Sequence, residues 1–349
     1  LRLGYTGGTT GKAKAVTLTT RSDLVETTAF LTDLVPELQK GDTFLHAAPI
    51  AHASGAFFLP SLVRGVHSLV MTKFDAGEFL SLAESSRAEF TFLVPTMIAM
   101  ILEDPRIDQA DLALRRIAYG AASISPSLIQ RAERRFGRCF VQCYGQAESP
   151  MVITCLQPED HDRIGSCGRP FSVAEVAIFD ENDQPLPPGE RGEIVCRGPQ
   201  TMAYYWNRPE QTAEAFRNGW LHTGDIGTMD EAGFFYIVDR KNDLLISGGY
   251  NVYPREVEDV LAGFPGVVEV AVVGLPDEYW GERVVAVVAG SADLDREGLM
   301  QYARDHLASF KRPKEILVWP ELPKSAANKI LRRTVRESLT AQMANPVSG

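Results

Sequence analysis

Between residues 66 and 144 the chain alternates short apolar runs with segments of helical periodicity, and this alternation limits the fold more than any other feature. Residues 66–71 and 90–94 are apolar runs. Residues 78–87 between them read as a helix, with Phe79, Leu82 and Ala83 spaced for one face. Pro95 opens a second helical stretch that reaches residue 102, and residues 116–119 read as a strand. Ser125-Pro126 then supplies an N-cap and a first-turn proline. Leu128, Ile129, Ala132 and Phe136 continue as a helical stripe, Gly137 can end it, and residues 139–144 form the next strand. Strands that alternate with helices are joined by crossovers, so the expected class is α/β: a parallel sheet with helices on both faces.

Ligands of such sheets bind beyond the carboxyl ends of the strands. Gly120-Ala121-Ala122-Ser123 follows one predicted strand and Tyr144-Gly145-Gln146-Ala147-Glu148 follows the next, which places a crevice there. The chain starts with a loop suited to an anion. Tyr5-Thr6-Gly7-Gly8-Thr9-Thr10-Gly11-Lys12-Ala13-Lys14 combines glycines for close backbone approach, hydroxyl and N–H donors, and lysines to neutralise charge. It is not a Walker A loop: Thr6 holds the first glycine position, and Ala13 replaces the hydroxyl that would hold magnesium.

From Cys167 to Tyr236 short strands (residues 173–179, 192–197 and 234–238) are punctuated by Pro185, Pro187, Pro188 and Gly189. This pattern predicts a small β-rich subdomain, a distorted barrel. After Asp239 comes a compact α+β region of about one hundred residues, an ordinary domain size. It holds helices at 254–261 and 299–307 and strands at 267–273 and 284–288, and the tail after Leu339 is expected to be loose. Two domains follow, 1–239 and 240–349. A net charge of −10 excludes a general nucleic-acid surface. No apolar run approaches a membrane span. The residues after Leu1 carry no signal-peptide pattern, and the five cysteines have no CxxC spacing, so a cytoplasmic protein with reduced thiols is expected.

Three further segments sharpen the anion loop: Tyr144–Glu148, Trp220-Leu221-His222-Thr223-Gly224-Asp225, and Pro323-Lys324-Ser325-Ala326-Ala327-Asn328-Lys329. In this order the four resemble the acyl-adenylate-forming superfamily, which includes acyl-CoA synthetases, adenylation domains and luciferases. The resemblance covers nearly the whole chain. It implies ATP, Mg2+ and coenzyme A as ligands, and a small C-terminal domain that is mobile and turns about a hinge near Arg240–Asn242 between two half-reactions. It also implies roles. Thr6, Gly7, Gly8, Thr9, Thr10, Gly11 and Lys14 would hold the β- and γ-phosphates. Gly120, Ala121 and Ala122 would lie along adenine, with Tyr144 and Gly145 completing that pocket and the tyrosine ring available for stacking. Glu148 would reach magnesium, Asp225 and Arg240 the ribose, and Lys329 the α-phosphate and substrate carboxylate. Gly248 and Gly249 would face the thiol. The chain departs from the family pattern at Ala13, where proline is usual, at Ala147, where a threonine hydroxyl is usual, at Asn242 and at Asn328. Gln146 or Ser149 would have to compensate for Ala147.

Residues 48–58 resemble the segment lining the acid pocket. They contain no acidic residue to pair with an α-ammonium, so the expected acid lacks an α-amino group and is fatty, alicyclic or aromatic. His52 lies beside the carboxylate or closes the pocket on one reading, and is a packed, hydrogen-bonded histidine on the other. Phe57, Phe58 and Met151 supply apolar walls. The resemblance also implies a sizeable region ahead of Leu1, so the large domain is expected to be N-terminally incomplete. The leading reading is a carboxylic acid–CoA ligase. Two alternatives stand beside it: a ligase loading the phosphopantetheine of a carrier protein, and a degenerate nucleotide-binding module without turnover.

Overall fold

The computed structural model describes residues 2–6, 14–122, 124–291, 294–325 and 330–344. The chain divides into two compact units, one up to Ile237 and one from Val238.

In the large unit the alternation becomes a parallel sheet. Strands Thr43–His46, His67–Val70, Phe90–Leu93, Arg116–Gly120 and Phe140–Gln146 are joined through helices Phe58–Arg64, Ala76–Ser85, Pro95–Glu103 and Pro126–Phe136. The second and first of these strands lead the spatial order and all neighbours pair in parallel. Phe90–Leu93 is buried at every position, as a strand covered on both faces must be, whereas His67–Val70 at the sheet edge is largely exposed. Local chemistry sets the helix limits. Asp75 caps Ala76–Ser85 by accepting from Glu78 N–H at 2.8 Å. Ser125 caps Pro126–Phe136, and Gly137 closes it at φ +80°. The core is aromatic: Phe57 packs 4.8 Å from Phe30 and 4.9 Å from Phe44, all fully buried.

The β-rich region differs from the expected barrel. Its strands extend the parallel sheet antiparallel, in the order Phe140–Gln146, Ser149–Leu156, Ser166–Pro170, Phe235–Arg240, Trp220–Met229, Gly192–Arg197, Glu175–Phe179. A two-residue turn at Ala147-Glu148 lets the chain fold straight back on itself, which makes this continuation possible. A separate three-stranded antiparallel sheet joins Arg2–Thr6, Lys14–Leu18 and Tyr204–Tyr205.

The small unit follows period-two logic on strands Val267–Asp277 and Gly281–Gly290. Val272, Val284, Ala286 and Val288 face one core with helices Pro254–Leu261 and Arg296–His306. Ala271, Val273, Val285 and Val287 face another, with Val335 and Leu339 of helix Arg332–Ala344. That helix runs past Leu339, where a loose tail was expected. Arg332 ties the unit together: Nη1 reaches Asp239 Oδ1 at 3.1 Å and Asp243 Oδ2 at 2.9 Å, and Nε reaches Glu258 Oε1 at 2.7 Å. Burial opposes its charge, but Glu258, Asp239 and Asp243 outweigh burial and hold its pKa above the usual value. All five cysteines are buried and form no disulfide, and no described helix is long and apolar enough to cross a membrane.

Two stability predictions follow from buried charge. Arg332→Met leaves three carboxylates without their cation and is expected to cost about 3–5 kcal/mol, read by chemical denaturation; a change below about 1 kcal/mol would contradict the network's role. Glu26 is 5% exposed, with Arg2 Nη2 at 2.9 Å. Burial outweighs Arg2 and raises its pKa from 4.5 to about 7. A raised carboxyl pKa gives stability that is present below pH 4.5 and lost as pH rises through 7. Glu26→Gln should therefore be more stable than the parent at pH 8, by roughly 2–4 kcal/mol, and equal to it near pH 4, measured by denaturation across pH.

Candidate active site

The turn that reverses the sheet is where the singled-out segments of the large unit meet. Gln146 pairs with Ser149 across Ala147 and Glu148. The backbones beside this turn approach too closely for side chains. A Cβ on Gly145 would stand 2.4 Å from Met151 N, and one on Gly120 would stand 2.4 Å from the Cys143 carbonyl oxygen. Ala121 (φ +65°) and Met151 (φ +55°) occupy the left-handed region, a strain of about 1–3 kcal/mol each that persists only where the surroundings impose it and that collects at binding sites.

Tyrosine hydroxyls hold two carboxylates next to this turn. Tyr144 Oη donates to Asp225 Oδ2 at 2.6 Å, and both residues are buried. Burial first, then the Asp225 carboxylate, pushes the Tyr144 phenol well above its ordinary pKa, so it stays a donor. Asp225 lies in Trp220–Met229, which the chain enters through an Asn218-Gly219 turn with φ +51° and +80°, the geometry a two-residue hairpin requires. Its N–H donates to Thr223 Oγ1 at 3.0 Å, and the preceding Gly224 N–H donates to Glu193 Oε1 at 3.0 Å. The second pair is Tyr205 Oη donating to Glu148 Oε1 at 2.6 Å. Lys14 Nζ stands 4.8 Å from the Tyr205 ring centroid. Thus Lys14, Glu148, Tyr144 and Asp225 gather at one end of the sheet through two tyrosines. Sequence reasoning missed Tyr205 and Glu193; the only signal for Tyr205 was an aromatic residue in a segment with no periodicity.

Several expectations change. The Tyr144 ring packs in a core cluster with Val16, Ile153 and Leu221 and is 9% exposed, so it does not stand open for stacking. Phe57 is a core residue, not a pocket wall, while Phe58 is 48% exposed. Ser149 is fully buried and donates to the Val152 carbonyl at 3.1 Å, so it cannot replace the hydroxyl absent at Ala147. Gln146 Nε2 is buried without a partner. His52 is exposed and precedes the turn Ala53–Phe57; the packed histidine is His46, with Nδ1 3.1 Å from Ser54 Oγ.

Thr6 ends strand Arg2–Thr6 opposite Lys14. Gly7, Gly8, Thr9, Thr10, Gly11, Ala13, Ser123, Asn328 and Lys329 lie outside the described residues. Ala122 is half-buried behind the exposed Ala121. In the small unit, Arg240 is exposed at the end of Phe235–Arg240. Gly248 (φ +58°) and Gly249 (φ +81°) form the two-residue turn between Leu245–Ser247 and Tyr250–Val252. A Cβ on Gly248 would meet the Trp280 ring at 2.9 Å.

The chemistry fits a metal carried in by a triphosphate. Among the described residues no group of three or more His, Cys, Asp or Glu could hold an ion alone. Magnesium on a nucleotide needs only one or two carboxylates, with phosphates and water completing the shell, and Glu148 supplies a hard oxygen on the tyrosine whose ring Lys14 faces. Tyr144→Phe removes a hydroxyl from a buried carboxylate. The expected loss is about 1.5–3 kcal/mol of large-unit stability, and a denaturation midpoint equal to the parent's would rule the bond out as a structural contributor.

Known proteins resemble this chain in sequence and in fold. The AMP-binding enzyme family matches residues 2–206, and the AMP-binding enzyme C-terminal domain matches residues 256–329. A medium/long-chain-fatty-acid–CoA ligase of Mycobacterium tuberculosis is 43% identical over 346 residues, covering 96% of this chain; the chain spans 60% of that ligase's length. The amide bond synthetase of Marinactinospora thermotolerans superposes with a TM-score of 0.88 at 34% identity, over 96% of this chain and 69% of that one. The o-succinylbenzoate coenzyme A synthetase of Bacillus subtilis, solved with ATP and a magnesium ion, superposes at 0.85 with 33% identity, over 95% and 68%. Matched across both units by sequence and by fold, the chain belongs to the AMP-binding enzyme family and has the mixed α/β architecture of its adenylate-forming members.

Proposed function

We propose that the chain carries the nucleotide-binding part of an ATP-dependent acid–thiol ligase. The observation that carries this reading is the pairing at the sheet reversal: Glu148 with Lys14 nearby, and Asp225 on Tyr144. One carboxylate sits beside a lysine and suits a metal–phosphate group. The other presents oxygens suited to a ribose diol.

The reaction has two steps. A carboxylate oxygen attacks the α-phosphorus of ATP, forming acyl-AMP and releasing pyrophosphate. A thiol then attacks the acyl carbon, and the acyl–oxygen bond breaks to give a thioester and AMP. The first step brings anions together, so the site must supply fixed positive charge and alignment. Lys14 with residues 6–11 would hold the β- and γ-phosphates. Asp225 and Arg240 would hold ribose, and Gly120, Ala121, Ala122, Tyr144 and Gly145 would border the adenine. Magnesium, when bound, withdraws charge from the phosphates, with Glu148 as its protein ligand. Lys329, a compact point charge, would approach the α-phosphate and the acid, and a turn of the small domain would later bring Gly248-Gly249 toward the thiol. The acid would lack an α-amino group, since residues 48–58 hold no acidic partner for one. Coenzyme A is the proposed acceptor, because the fatty-acid and succinylbenzoate relatives are named for it. The amide bond synthetase favours a second reading, in which an amine takes the acyl group.

Acid-dependent ATP–pyrophosphate exchange tests the first step. Exchange with one class of acid is expected in a chain extended to the length of its relatives, and Lys329→Ala should reduce it at least about 100-fold while leaving thiolysis of supplied acyl-AMP intact. No exchange with any acid would overturn the ligase reading; equal loss of both steps would overturn the role of Lys329. Adding coenzyme A or an amine to trapped acyl-AMP then separates the two acceptors.

A further inference from the structure

The segment around Tyr205 grips Glu148 twice. Met202 N–H donates to the Glu148 carbonyl at 2.7 Å, and Tyr205 Oη donates to Glu148 Oε1 at 2.6 Å. The same segment is locked to the strand that closes the anion loop. Tyr205 pairs with Val16 and Tyr204 with Thr17, while Trp206 N–H donates to the Ala15 carbonyl at 2.8 Å. The Tyr205 N–H is itself held, donating to Thr212 Oγ1 at 3.0 Å. The side chain is 7% exposed and its ring lies 4.8 Å from Lys14 Nζ, within cation–π range. A phenol is protonated at neutral pH, so the hydroxyl donates to the carboxylate.

Resting on the ligase reading, we infer that Tyr205 is a positioning residue: its hydroxyl fixes the rotation of the Glu148 carboxylate for the metal–nucleotide, and its ring sets Lys14 at the loop's exit. A carboxylate that must bind a metal through one or two oxygens loses affinity when it turns freely, and a phenol bonded to Oε1 orients the second oxygen. One side chain thereby couples the loop lysine to the metal carboxylate.

The test is Mn2+ binding in the presence of a non-hydrolysable ATP analogue, followed by electron paramagnetic resonance, on the parent, Tyr205→Phe, Glu148→Gln and the double variant. Tyr205→Phe keeps the ring and loses only the hydroxyl. It is expected to weaken Mn2+–nucleotide binding about tenfold, with metal-free AMP affinity unchanged, both read well below the melting midpoint of either protein. In the Glu148→Gln background the same change should have no further effect. An Mn2+ affinity within twofold of the parent, a parallel fall in AMP affinity, or a full tenfold effect without Glu148 would each overturn the inference. Acid-dependent exchange is read separately, so a parent that binds Mn2+–nucleotide but exchanges with no acid refutes the ligase reading while still reporting on Tyr205.

Discussion

The close backbone contact where the parallel sheet turns antiparallel governs the large unit. Gly145 has room for no side chain against Met151, and Gly120 has none against Cys143. The two strand ends can therefore lie side by side, and Glu148 emerges beside Tyr144. A single methyl at Gly145 would push Ser149–Leu156 away from Phe140–Gln146, and the whole antiparallel continuation hangs from that strand. The left-handed angles of Ala121 and Met151 are the strain that this crowding leaves behind.

Crowding alone would leave two carboxylates unanchored near the turn. Tyrosine solves this twice by the same means. A phenol is long enough to cross between strands, apolar enough to sit in a core, and weak enough as an acid to remain a donor beside an anion. Tyr144 joins Asp225 across 81 positions and Tyr205 joins Glu148 across 57. These bonds join elements that are far apart in sequence.

The alternation of strands and helices was legible because each period repeats locally, and Asp75, Ser125 and Gly137 act within one turn of the helices they bound. Helix Thr20–Ala29 was not legible: its buried residues are Ser22, Glu26, Thr27 and Ala29, so it carries no apolar stripe. The antiparallel continuation was read as a separate barrel because pairing partners leave no mark in single-strand patterns. At the candidate site, Gly120, Gly145, Glu148 and Asp225 were singled out from motifs. Their support was not, because Tyr205 and Glu193 act only through contacts made in the folded chain. Phe57 was misplaced for a related reason: an aromatic residue beside a motif looks the same in sequence whether it lines a pocket or fills a core.

The acceptors and the proposed cations come from different parts of the chain. Asp225, within strand Trp220–Met229, and Glu148, in the turn before Ser149–Leu156, are the acceptors, and a buried phenol holds each. The proposed cations come from other segments of the chain: Lys14 opens strand Lys14–Leu18, and Lys329 falls between Lys324 and Ile330 in sequence. On the proposed reading this division has a physical reason. Ribose and metal need fixed partners from the moment the nucleotide binds. Charge at the α-phosphate develops only during attack, so a cation is needed there for one step and must leave before the thiol arrives. Ala147 fits the same division. It packs against the apolar cluster of Val16, Ile153 and Leu221 rather than offering a hydroxyl to the cleft. The rim beside the turn thus contributes packing at that position, and on the proposed reading stabilisation of the α-phosphate would fall to the lysines.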